Sequence, residues 1–273
     1  MRDEELSPDP YELLELAVAV VRAGGESARS TRKAAIADVA TKSTPTDVVT
    51  AGDRATERMI VEALRERRPY DEVLGEESGR HAGGERAPVR WLLDPIDGTV
   101  NYLYGIGQYA VSLAAEVAGR VVAGVVRNPV SGEEWTAVAG AGAYRDGRRL
   151  TGSGVTELSQ ALVATGFGYD PARRVHQAGV LTGLLGEIRD IRRLGAAALD
   201  LCFAAEGRVD AYYERGLAPW DLAAGGLIAQ EAGLLVTGLR GAAAGPEMVV
   251  AAPPAVHQAL HDQLVRLGAD SGP

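Results

Sequence analysis

The chain has 273 residues, of which 28 are Lys or Arg and 37 are Asp or Glu, so its formal net charge at neutral pH is −9. Hydrophobic residues make up 46% and charged residues 24% of the sequence, a balance that is typical of globular proteins and argues against a disordered chain. Such an acidic chain is a poor candidate for broad electrostatic binding to nucleic acid or anionic membranes, although a bound metal ion can still attract an anionic substrate locally.

Signals for disulfides and membrane insertion are weak in this sequence. Cys202 is the single cysteine, so the chain can form neither an intrachain disulfide nor a Cys-rich zinc site. The apolar stretch over residues 13–21 is interrupted by Glu15, and a membrane span requires about 18 apolar residues. We therefore expect a cytoplasmic protein that binds neither membranes nor nucleic acid.

The first half of the sequence predicts helices followed by antiparallel strands. Asp9, Pro10 and Glu12 are together typical of a helix start, because Asp caps a helix and Pro fits its first turn. The other elements predicted in this half are a turn over residues 42–47, a helix over 53–68, and strands over 91–93, 109–117, 121–126, 135–138 and 143–144.

After residue 150 the sequence predicts an alternation of strands and helices. The predicted strands cover residues 161–165, 209–214, 234–237 and 248–251, and the predicted helices cover 176–185, 196–206, 220–232 and 254–267. We therefore predict the α/β class, with an α+β lobe over residues 1–150 and an α/β lobe over residues 151–273 that together form one catalytic unit.

Three short acidic segments, residues 75–77, 94–99 and 220–221, indicate where the chemistry lies. In the middle segment Asp94 and Asp97 flank a tight turn after a hydrophobic strand, so both carboxylates can face one point. Their mutual repulsion is costly there unless a cation lies between them. Carboxylate oxygens favour Mg²⁺, Mn²⁺ or Ca²⁺ over zinc. The alternative is an ordinary turn in which Asp97 caps the helix that follows it.

Two of these segments resemble the signatures of a known family. Residues 91–99 read Trp-Leu-Leu-Asp-Pro-Ile-Asp-Gly-Thr, and residues 220–226 read Trp-Asp-Leu-Ala-Ala-Gly-Gly. In this order they are similar to the central and C-terminal signatures of the inositol monophosphatase family of Mg²⁺-dependent, lithium-sensitive phosphatases. The resemblance extends over residues 42–236, and it implies a layered αβαβα sandwich that forms a homodimer.

The resemblance implies two or three Mg²⁺ ions in each active site, with Mn²⁺ as a substitute and Li⁺ as an inhibitor. The ligands that it implies are Glu76, Asp94 and the backbone carbonyl of Ile96 for the first metal, and Asp94, Asp97 and Asp221 for the second. A third, weaker metal would depend on Glu76 and water. Lys42 and Glu77 match residues that lie beside these ligands.

The resemblance also implies roles in catalysis and in substrate binding. The matching catalytic residues are Asp53, Glu76 and Thr99, of which Asp53 and Thr99 would orient and deprotonate the attacking water. The matching substrate-binding residues are Gly98 and Thr99 at the phosphate, Glu214 at the sugar hydroxyls, and Gly195, Ala196, Ala197 and Asp221 beside them. Ala196 departs from the family pattern, in which Thr or Ser is common, so one hydroxyl contact with the sugar is lost.

From this resemblance we predict a Mg²⁺-dependent phosphomonoesterase that converts myo-inositol monophosphate to myo-inositol and phosphate. Metal ions can activate water for this slow reaction, which agrees with the prediction. The same chemistry on histidinol phosphate, fructose 1,6-bisphosphate or a 3′-phosphonucleotide is one alternative. A non-catalytic metal-binding regulator is an alternative of a different class. Haloacid-dehalogenase-type phosphatases are disfavoured, because they carry Asp-x-Asp-Gly-Thr and this chain has one more residue between Asp94 and Asp97.

Two further pairs of residues have more than one interpretation. His257 and His261 lie four residues apart on a predicted helix, and we expect them on a solvated surface rather than at a metal. Arg192 and Arg193 could hold a phosphate or form a surface charge pair. We favour the structural role for this pair, since metal ions would already serve the phosphate.

Overall fold

Helices and strands account for most of the chain in a computed structural model, which describes residues 8–84 and 87–272. The helices are α1 (Pro10–Ala35), α2 (Ala51–Arg67), α3 (Thr99–Tyr104), α4 (Pro171–Leu184), α5 (Ala197–Glu206), α6 (Pro219–Glu231) and α7 (Pro254–Arg266). The strands are β1 (Val39–Thr41), β2 (Val48–Thr50), β3 (Glu72–Gly75), β4 (Gly79–His81), β5 (Arg90–Asp97), β6 (Ala110–Val117), β7 (Arg120–Arg127), β8 (Glu134–Val138), β9 (Gly142–Arg145), β10 (Arg148–Arg149), β11 (Leu162–Thr165), β12 (Asp190–Arg192), β13 (Ala211–Glu214), β14 (Leu235–Thr237) and β15 (Val249–Ala252).

Two sheets form the frame of the fold. The larger sheet has the strand order β10-β9-β8-β7-β6-β5-β3-β4, and its neighbours are antiparallel except for the parallel pair β3 and β5. The smaller sheet has the order β12-β11-β13-β15-β14. Its strand β11 is parallel to β12 and β13, whereas β15 is antiparallel to β13 and β14. The second half of the chain therefore combines parallel and antiparallel pairing.

Helices cover both faces of each sheet. α1 and α2 pack on one face of the larger sheet, where Leu13 and Leu113 are buried. α5 and α6 fill the space between the two sheets, and Cys202 and Ala224 belong to that core. α4 and α7 cover the outer face of the smaller sheet, where Leu260 is buried. The order helix, sheet, helix, sheet, helix confirms the α/β class and the layered αβαβα sandwich.

The start of α2 differs from the predicted start at Asp53. The helix begins at Ala51, because the hydroxyl of Thr50 accepts a hydrogen bond from the N–H of Gly52 at 3.0 Å. The Asp53 carboxylate in turn accepts a hydrogen bond from the N–H of Thr50 at 2.8 Å. In this reciprocal capping box Asp53 is the third residue of the helix rather than its first residue.

Some short or displaced elements were missing from the sequence predictions. β3 and β4, with four and three residues, lie in the segment before residue 91 where no strand was predicted. α4 begins five residues before the predicted start at residue 176. Asp170 caps it by accepting a hydrogen bond from the N–H of Arg173 at 2.9 Å, and Pro171 occupies its first turn.

β5 extends beyond its predicted end and carries an irregularity that shapes the site. Asp94 pairs with Ser112 of β6 and Asp97 pairs with Ala110, so three steps along β5 face two steps along β6. This bulge bends the strand between the two aspartates. Gly98 follows with φ of 91°, a conformation that glycine adopts without strain, and α3 begins at the next residue.

The division of the chain at residue 150 stays a prediction. The last strand of the larger sheet ends at Arg149, and the first strand of the smaller sheet begins at Leu162. A single core nevertheless contains buried side chains from both sides of residue 150, such as Trp135 and Tyr212. Within the described part of the chain, no helix is both long enough and apolar enough to cross a membrane.

Candidate active site

The acidic segments meet at a cavity of about 470 Å³, a size that is typical of small-molecule sites. The cavity lies where β5 of the larger sheet and β11 and β13 of the smaller sheet end, beside the starts of α5 and α6. The predicted site residues in its wall are Glu76, Asp94, Ile96, Asp97, Gly98, Thr99, Gly195, Ala196, Ala197, Glu214 and Asp221. Side chains that were predicted from segments far apart in the sequence thus share one cavity.

Asp94 is the most deeply buried carboxylate in the wall. Its exposed fraction is 2%, and one of its oxygens accepts a hydrogen bond from the N–H of Ile96 at 3.0 Å. Burial raises the pKa of Asp94 well above its usual value, and the negative charges of Glu76, Asp97 and Asp221 raise it further. A buried carboxylate among other carboxylates is costly without a compensating cation.

Asp97 is held by the beginning of α5 rather than by its own helix. Its two oxygens accept hydrogen bonds from the backbone N–H groups of Ala197 at 3.1 Å and Ala198 at 2.8 Å. Burial raises the pKa of Asp97 to about 7, while these two hydrogen bonds oppose the shift. The cap residue of α3 is Gly98, which has no side-chain cap. The alternative in which Asp97 caps the following helix is therefore wrong.

Asp221 enters the cavity from the first turn of α6. Its carboxylate accepts a hydrogen bond from the N–H of Ala218 at 2.7 Å, which fixes it beside the start of the helix. Burial raises the pKa of Asp221 well above its usual value, with further contributions from the charges of Asp97 and Glu76. The structure therefore brings this third aspartate into the electrostatic field of the other two.

Lys42 neutralises part of this acidic cluster. Its ammonium lies 2.8 Å from a carboxylate oxygen of Glu76 and 2.6 Å from one of Glu77. Burial alone would lower the pKa of Lys42, but the two glutamates outweigh burial and raise it above its usual value. Burial also raises the pKa of Glu77 to about 7, against the effect of the Lys42 hydrogen bond. Lys42 thus connects the carboxylates of Glu76 and Glu77.

Thr99 connects the cavity wall to a buried carboxylate on α2. The hydroxyl oxygen of Thr99 lies 3.0 Å from Asp53 Oδ1 and 3.1 Å from the carbonyl oxygen of Ile96. Asp53 is fully buried, and its other oxygen accepts a hydrogen bond from the Thr50 hydroxyl at 2.6 Å. Burial raises the pKa of Asp53, and the hydrogen bonds from Thr50 and Thr99 lower it. The pair can therefore receive a proton that arrives through the threonine hydroxyl.

Glu214 lies at the end of β13, on the side of the smaller sheet. One of its oxygens accepts a hydrogen bond from the hydroxyl of Tyr212 at 2.6 Å. Burial raises the pKa of Glu214, while this hydrogen bond and the positive charge of Arg193 lower it. A carboxylate fixed in this way can accept hydrogen bonds from the hydroxyl groups of a ligand.

Two residues that support the site were missed at the sequence level. Asn101 Nδ2 donates to the carbonyl oxygen of Leu194 at 2.8 Å, which ties α3 to the loop that carries Gly195. Glu57 on α2 accepts hydrogen bonds from the backbone N–H groups of Glu77 at 2.9 Å and Ser78 at 2.7 Å. Asn101 lies two residues after Thr99, so its closeness to the central acidic segment could have indicated a role in the site. Nothing in the sequence around Glu57 indicated that it would contact Glu77 and Ser78.

The structure corrects the prediction for the histidine pair. His257 is buried, with an exposed fraction of 6%, and its ring nitrogen Nε2 lies 3.0 Å from the Thr237 hydroxyl. The rings of His257 and His261 are stacked, with 6.4 Å between their centres. His261 Nε2 accepts a hydrogen bond from the backbone N–H of Arg240 at 3.1 Å. The expected solvated surface is therefore wrong for His257, because the helix turns this residue toward the smaller sheet.

Among residues 8–84 and 87–272, no group of three or more His, Cys, Asp or Glu side chains is arranged so that it could hold a metal ion. In the present arrangement Glu76 is paired with Lys42, and Asp97 accepts two backbone N–H groups. The assignment of these residues to particular metal ions stays a prediction.

Comparison with known proteins agrees with the resemblance found in the sequence. The model of the inositol monophosphatase family matches residues 9–269. Inositol-1-monophosphatase SuhB of Mycobacterium tuberculosis is 49% identical to this chain over 224 residues, which are 79% of this chain and 77% of that protein. Nus factor SuhB of Pseudomonas aeruginosa is 43% identical over 234 residues, which cover 84% of this chain and 86% of that protein.

A solved structure gives the same result for the fold. The crystal structure of the extragenic suppressor protein suhB from Bartonella henselae superposes with a TM-score of 0.87 at 34% identity, over 93% of this chain and 98% of that chain. These similarities confirm the predicted enzyme class, a phosphatase, and they show that the chain belongs to the inositol monophosphatase family.

Proposed function

We propose that this protein hydrolyses myo-inositol monophosphate to myo-inositol and phosphate, with Mg²⁺ as its cofactor and water as the nucleophile. The observation that carries the proposal is the group of three carboxylates, Asp94, Asp97 and Asp221, whose pKa values are all raised by burial in one cavity wall. Three such groups are stable as anions only when cations compensate them. The name of the Mycobacterium tuberculosis relative supports inositol phosphate as the substrate.

The donor set of the cavity fits a hard divalent cation. The proposed ligands are the carboxylates of Glu76, Asp94, Asp97 and Asp221 and the backbone carbonyl of Ile96, all of them oxygen donors. Mg²⁺ and Mn²⁺ prefer oxygen donors, whereas zinc sites are typically built from nitrogen and sulfur. Glu76 already contacts a cationic group, the ammonium of Lys42, so this end of the cluster attracts positive charge. As the family resemblance implies, we propose two or three Mg²⁺ ions per site, with Li⁺ as an inhibitor.

Two divalent cations, when bound, would supply the positive charge that stabilises the phosphate and lowers the pKa of the attacking water. The protein itself provides the path for the proton. The Thr99 hydroxyl can accept a hydrogen bond from that water while it donates its own hydrogen to Asp53, 3.0 Å away. The backbone N–H groups of Gly98 and Thr99 would hold phosphate oxygens, and Gly98 keeps this approach open because it has no side chain.

The alcohol part of the substrate would bind at the end of the cavity near the smaller sheet. Glu214 would accept hydrogen bonds from ring hydroxyls, and its orientation is fixed by Tyr212. The loop of Gly195, Ala196 and Ala197 would pack beside the ring. Because Ala196 has no hydroxyl, we expect recognition of the ring to depend mainly on Glu214. Histidinol phosphate, fructose 1,6-bisphosphate and 3′-phosphonucleotides remain alternative substrates for the same chemistry.

A regulatory function without catalysis is the second candidate. Its support is that the Pseudomonas aeruginosa relative, at 43% identity, bears the name Nus factor SuhB. The retained Thr99–Asp53 pair favours catalysis, because a regulator would need no proton acceptor next to the phosphate. We further propose a homodimer, as the family resemblance implies, and a cytoplasmic location, as expected from the sequence.

The experiment compares Mg²⁺-dependent phosphate release by the wild-type protein and by Asp94→Asn. The substitution keeps the shape of the side chain and its acceptor for the N–H of Ile96, so the fold should persist, which circular dichroism would verify. We expect a loss of at least about a thousandfold in kcat, because Asp94 would help to hold both of the proposed cations. Asp146→Asn is the matched control on an exposed turn with positive φ, where Asn is well tolerated. Near wild-type turnover by Asp94→Asn would exclude the proposed mechanism.

A further inference from the structure

Two adjacent arginines are both exposed but differ in their contacts. Arg192 is exposed, and its guanidinium forms an ion pair with Asp190 at 2.8 Å and a hydrogen bond with the carbonyl oxygen of Ile191 at 2.7 Å. Arg193 instead lines the cavity that contains Asp94. The two interpretations of this pair therefore apply to different residues. Arg192 forms a surface ion pair with Asp190, whereas Arg193 is the candidate for binding an anion.

No carboxylate of the described residues is paired with Arg193. Within residues 8–84 and 87–272 its guanidinium forms neither a hydrogen bond nor an ion pair, and its contact is with the face of the Phe167 ring, 6.0 Å from the ring centre. A cation–π contact holds a guanidinium in place and leaves its N–H groups available. Arg193 is nevertheless close enough to favour the charged forms of Glu214 and Asp200. It therefore belongs to the substrate end of the cavity rather than to a remote surface.

The cavity wall around Arg193 carries further positive charge. Arg173 and Arg215 line the same cavity. The guanidinium of Arg215 donates to the carbonyl oxygen of Ser271 at 2.7 Å, so it is anchored by the end of the chain. Asp170 also lines the cavity, but its carboxylate caps α4. The cavity wall therefore carries three guanidinium groups in addition to its carboxylates.

A neutral polyol ring has no group that requires this positive charge. An anionic group does, because a guanidinium can donate two parallel hydrogen bonds to a phosphate or a carboxylate. The cavity of about 470 Å³ has room for a ligand of ordinary metabolite size that spans both ends.

We propose that Arg193 is a specificity-determining residue that binds a second anionic group, a phosphate or a carboxylate, on the alcohol part of the substrate. The preferred substrates then include phosphate monoesters that carry two anionic groups. This inference rests on the proposed function, because the first phosphate must occupy the carboxylate end of the cavity.

The test uses two substrate pairs that differ by one phosphate: myo-inositol 1-phosphate with myo-inositol 1,4-bisphosphate, and fructose 1-phosphate with fructose 1,6-bisphosphate. We would measure kcat/KM with Mg²⁺ for the wild type, Arg193→Ala, Arg193→Lys and the matched control Arg192→Ala. In at least one pair the wild type should prefer the bisphosphate. Arg193→Ala should lower that preference at least about tenfold, the usual effect of losing one hydrogen-bonded ion contact. Arg193→Lys should restore part of it, and Arg192→Ala should leave it unchanged.

The inference is overturned if neither bisphosphate is preferred, or if Arg193→Ala and Arg192→Ala change the preference equally. Phenyl phosphate, which has a single anionic group, separates this failure from failure of the proposed function. Mg²⁺-dependent release of phosphate from phenyl phosphate without any bisphosphate preference removes only the role of Arg193. Absence of release from every ester in the panel removes both proposals.

Discussion

The hydroxyl oxygen of Thr99 lies 3.0 Å from Asp53 Oδ1, although 46 residues of chain separate the two. The contact joins the first turn of α3 to the first turn of α2 and places a fully buried carboxylate behind the cavity wall. The same hydroxyl lies 3.1 Å from the carbonyl oxygen of Ile96. This relationship gives the proposed water a proton acceptor through a single hydroxyl group.

The first prediction removes that hydroxyl. Thr99→Val should lower kcat for myo-inositol 1-phosphate by about 100-fold or more, because general base assistance typically contributes 10²–10⁴. Thr99→Ser keeps the hydroxyl and should retain most of the rate, which makes it the matched control. Phosphate release at saturating substrate is the measurement. Equal rates for the valine and serine variants would show that the Thr99–Asp53 contact is structural only.

The second prediction concerns the space around Glu214. A Cβ added at Gly166 would lie 1.9 Å from a carboxylate oxygen of Glu214, so Gly166→Ala must displace that side chain. We expect KM for myo-inositol 1-phosphate to rise about tenfold, as expected when a hydrogen bond to a charged group is lost, with a smaller change for phenyl phosphate. Gly179→Ala is the control, because no atom lies within 4 Å of its added Cβ.

The Gly179→Ala control should itself raise the free energy of unfolding by about 0.5–1 kcal/mol, because it replaces glycine inside α4. If Gly166→Ala changed KM for both esters equally, Glu214 would not be the group that recognises the ring. Urea unfolding of both variants would show whether any loss of activity reflects a loss of stability instead.

A third prediction uses Asp200, whose carboxylate is buried with an exposed fraction of 1%. Both of its oxygens lack a hydrogen-bond partner within the residues that the structure describes. Burial raises the pKa of Asp200 well above its usual value. The folded protein therefore binds the proton more tightly than the unfolded chain does, and the stability that this group contributes is lost as the pH rises through its folded pKa.

Asp200→Asn removes that titration. The variant should lose less stability than the wild type between pH 5 and pH 8.5, as measured by urea unfolding at several pH values. Identical pH profiles for the two proteins would mean that the carboxylate has a partner or a bound water that compensates its charge.

The fourth prediction concerns acid stability and His257. Burial lowers the pKa of His257, and the neighbouring charge of His261 lowers it further. Below the unfolded pKa of 6.5 the unfolded chain thus takes up a proton more readily than the folded protein. The free energy of unfolding should fall as the pH drops from 7.5 through 6.5 toward the folded pKa. His257→Gln can keep a hydrogen bond to Thr237 and should flatten this fall; a variant with the wild-type slope would contradict the assignment.

Much of the site could be predicted from the sequence, because its chemistry lies in short motifs. The spacing of Asp94 and Asp97 around a turn indicated two carboxylates near one point, and the structure places both in the cavity wall. The family resemblance added partners from distant segments, such as Glu214. The layered fold also followed from the resemblance, and the alternation of strands and helices supported it.

The remaining features depend on long-range packing that one sequence does not reveal. Arg192 and Arg193 are chemically identical neighbours, and only the position of β12 decides which of them faces the cavity. The burial of His257 depends on how α7 packs against the smaller sheet. The early start of α2 depends on whether Thr50 or Asp53 caps the helix, and both types are good caps.

The central claim is that phosphate release depends on a divalent cation held by the carboxylates of this cavity. Its most direct test is the rate of phosphate release from myo-inositol 1-phosphate by the wild-type protein, first after removal of metal with a chelator and then after addition of Mg²⁺. We predict a rate at background without metal and recovery of the full rate with Mg²⁺. An undiminished rate in the metal-free protein would contradict the account.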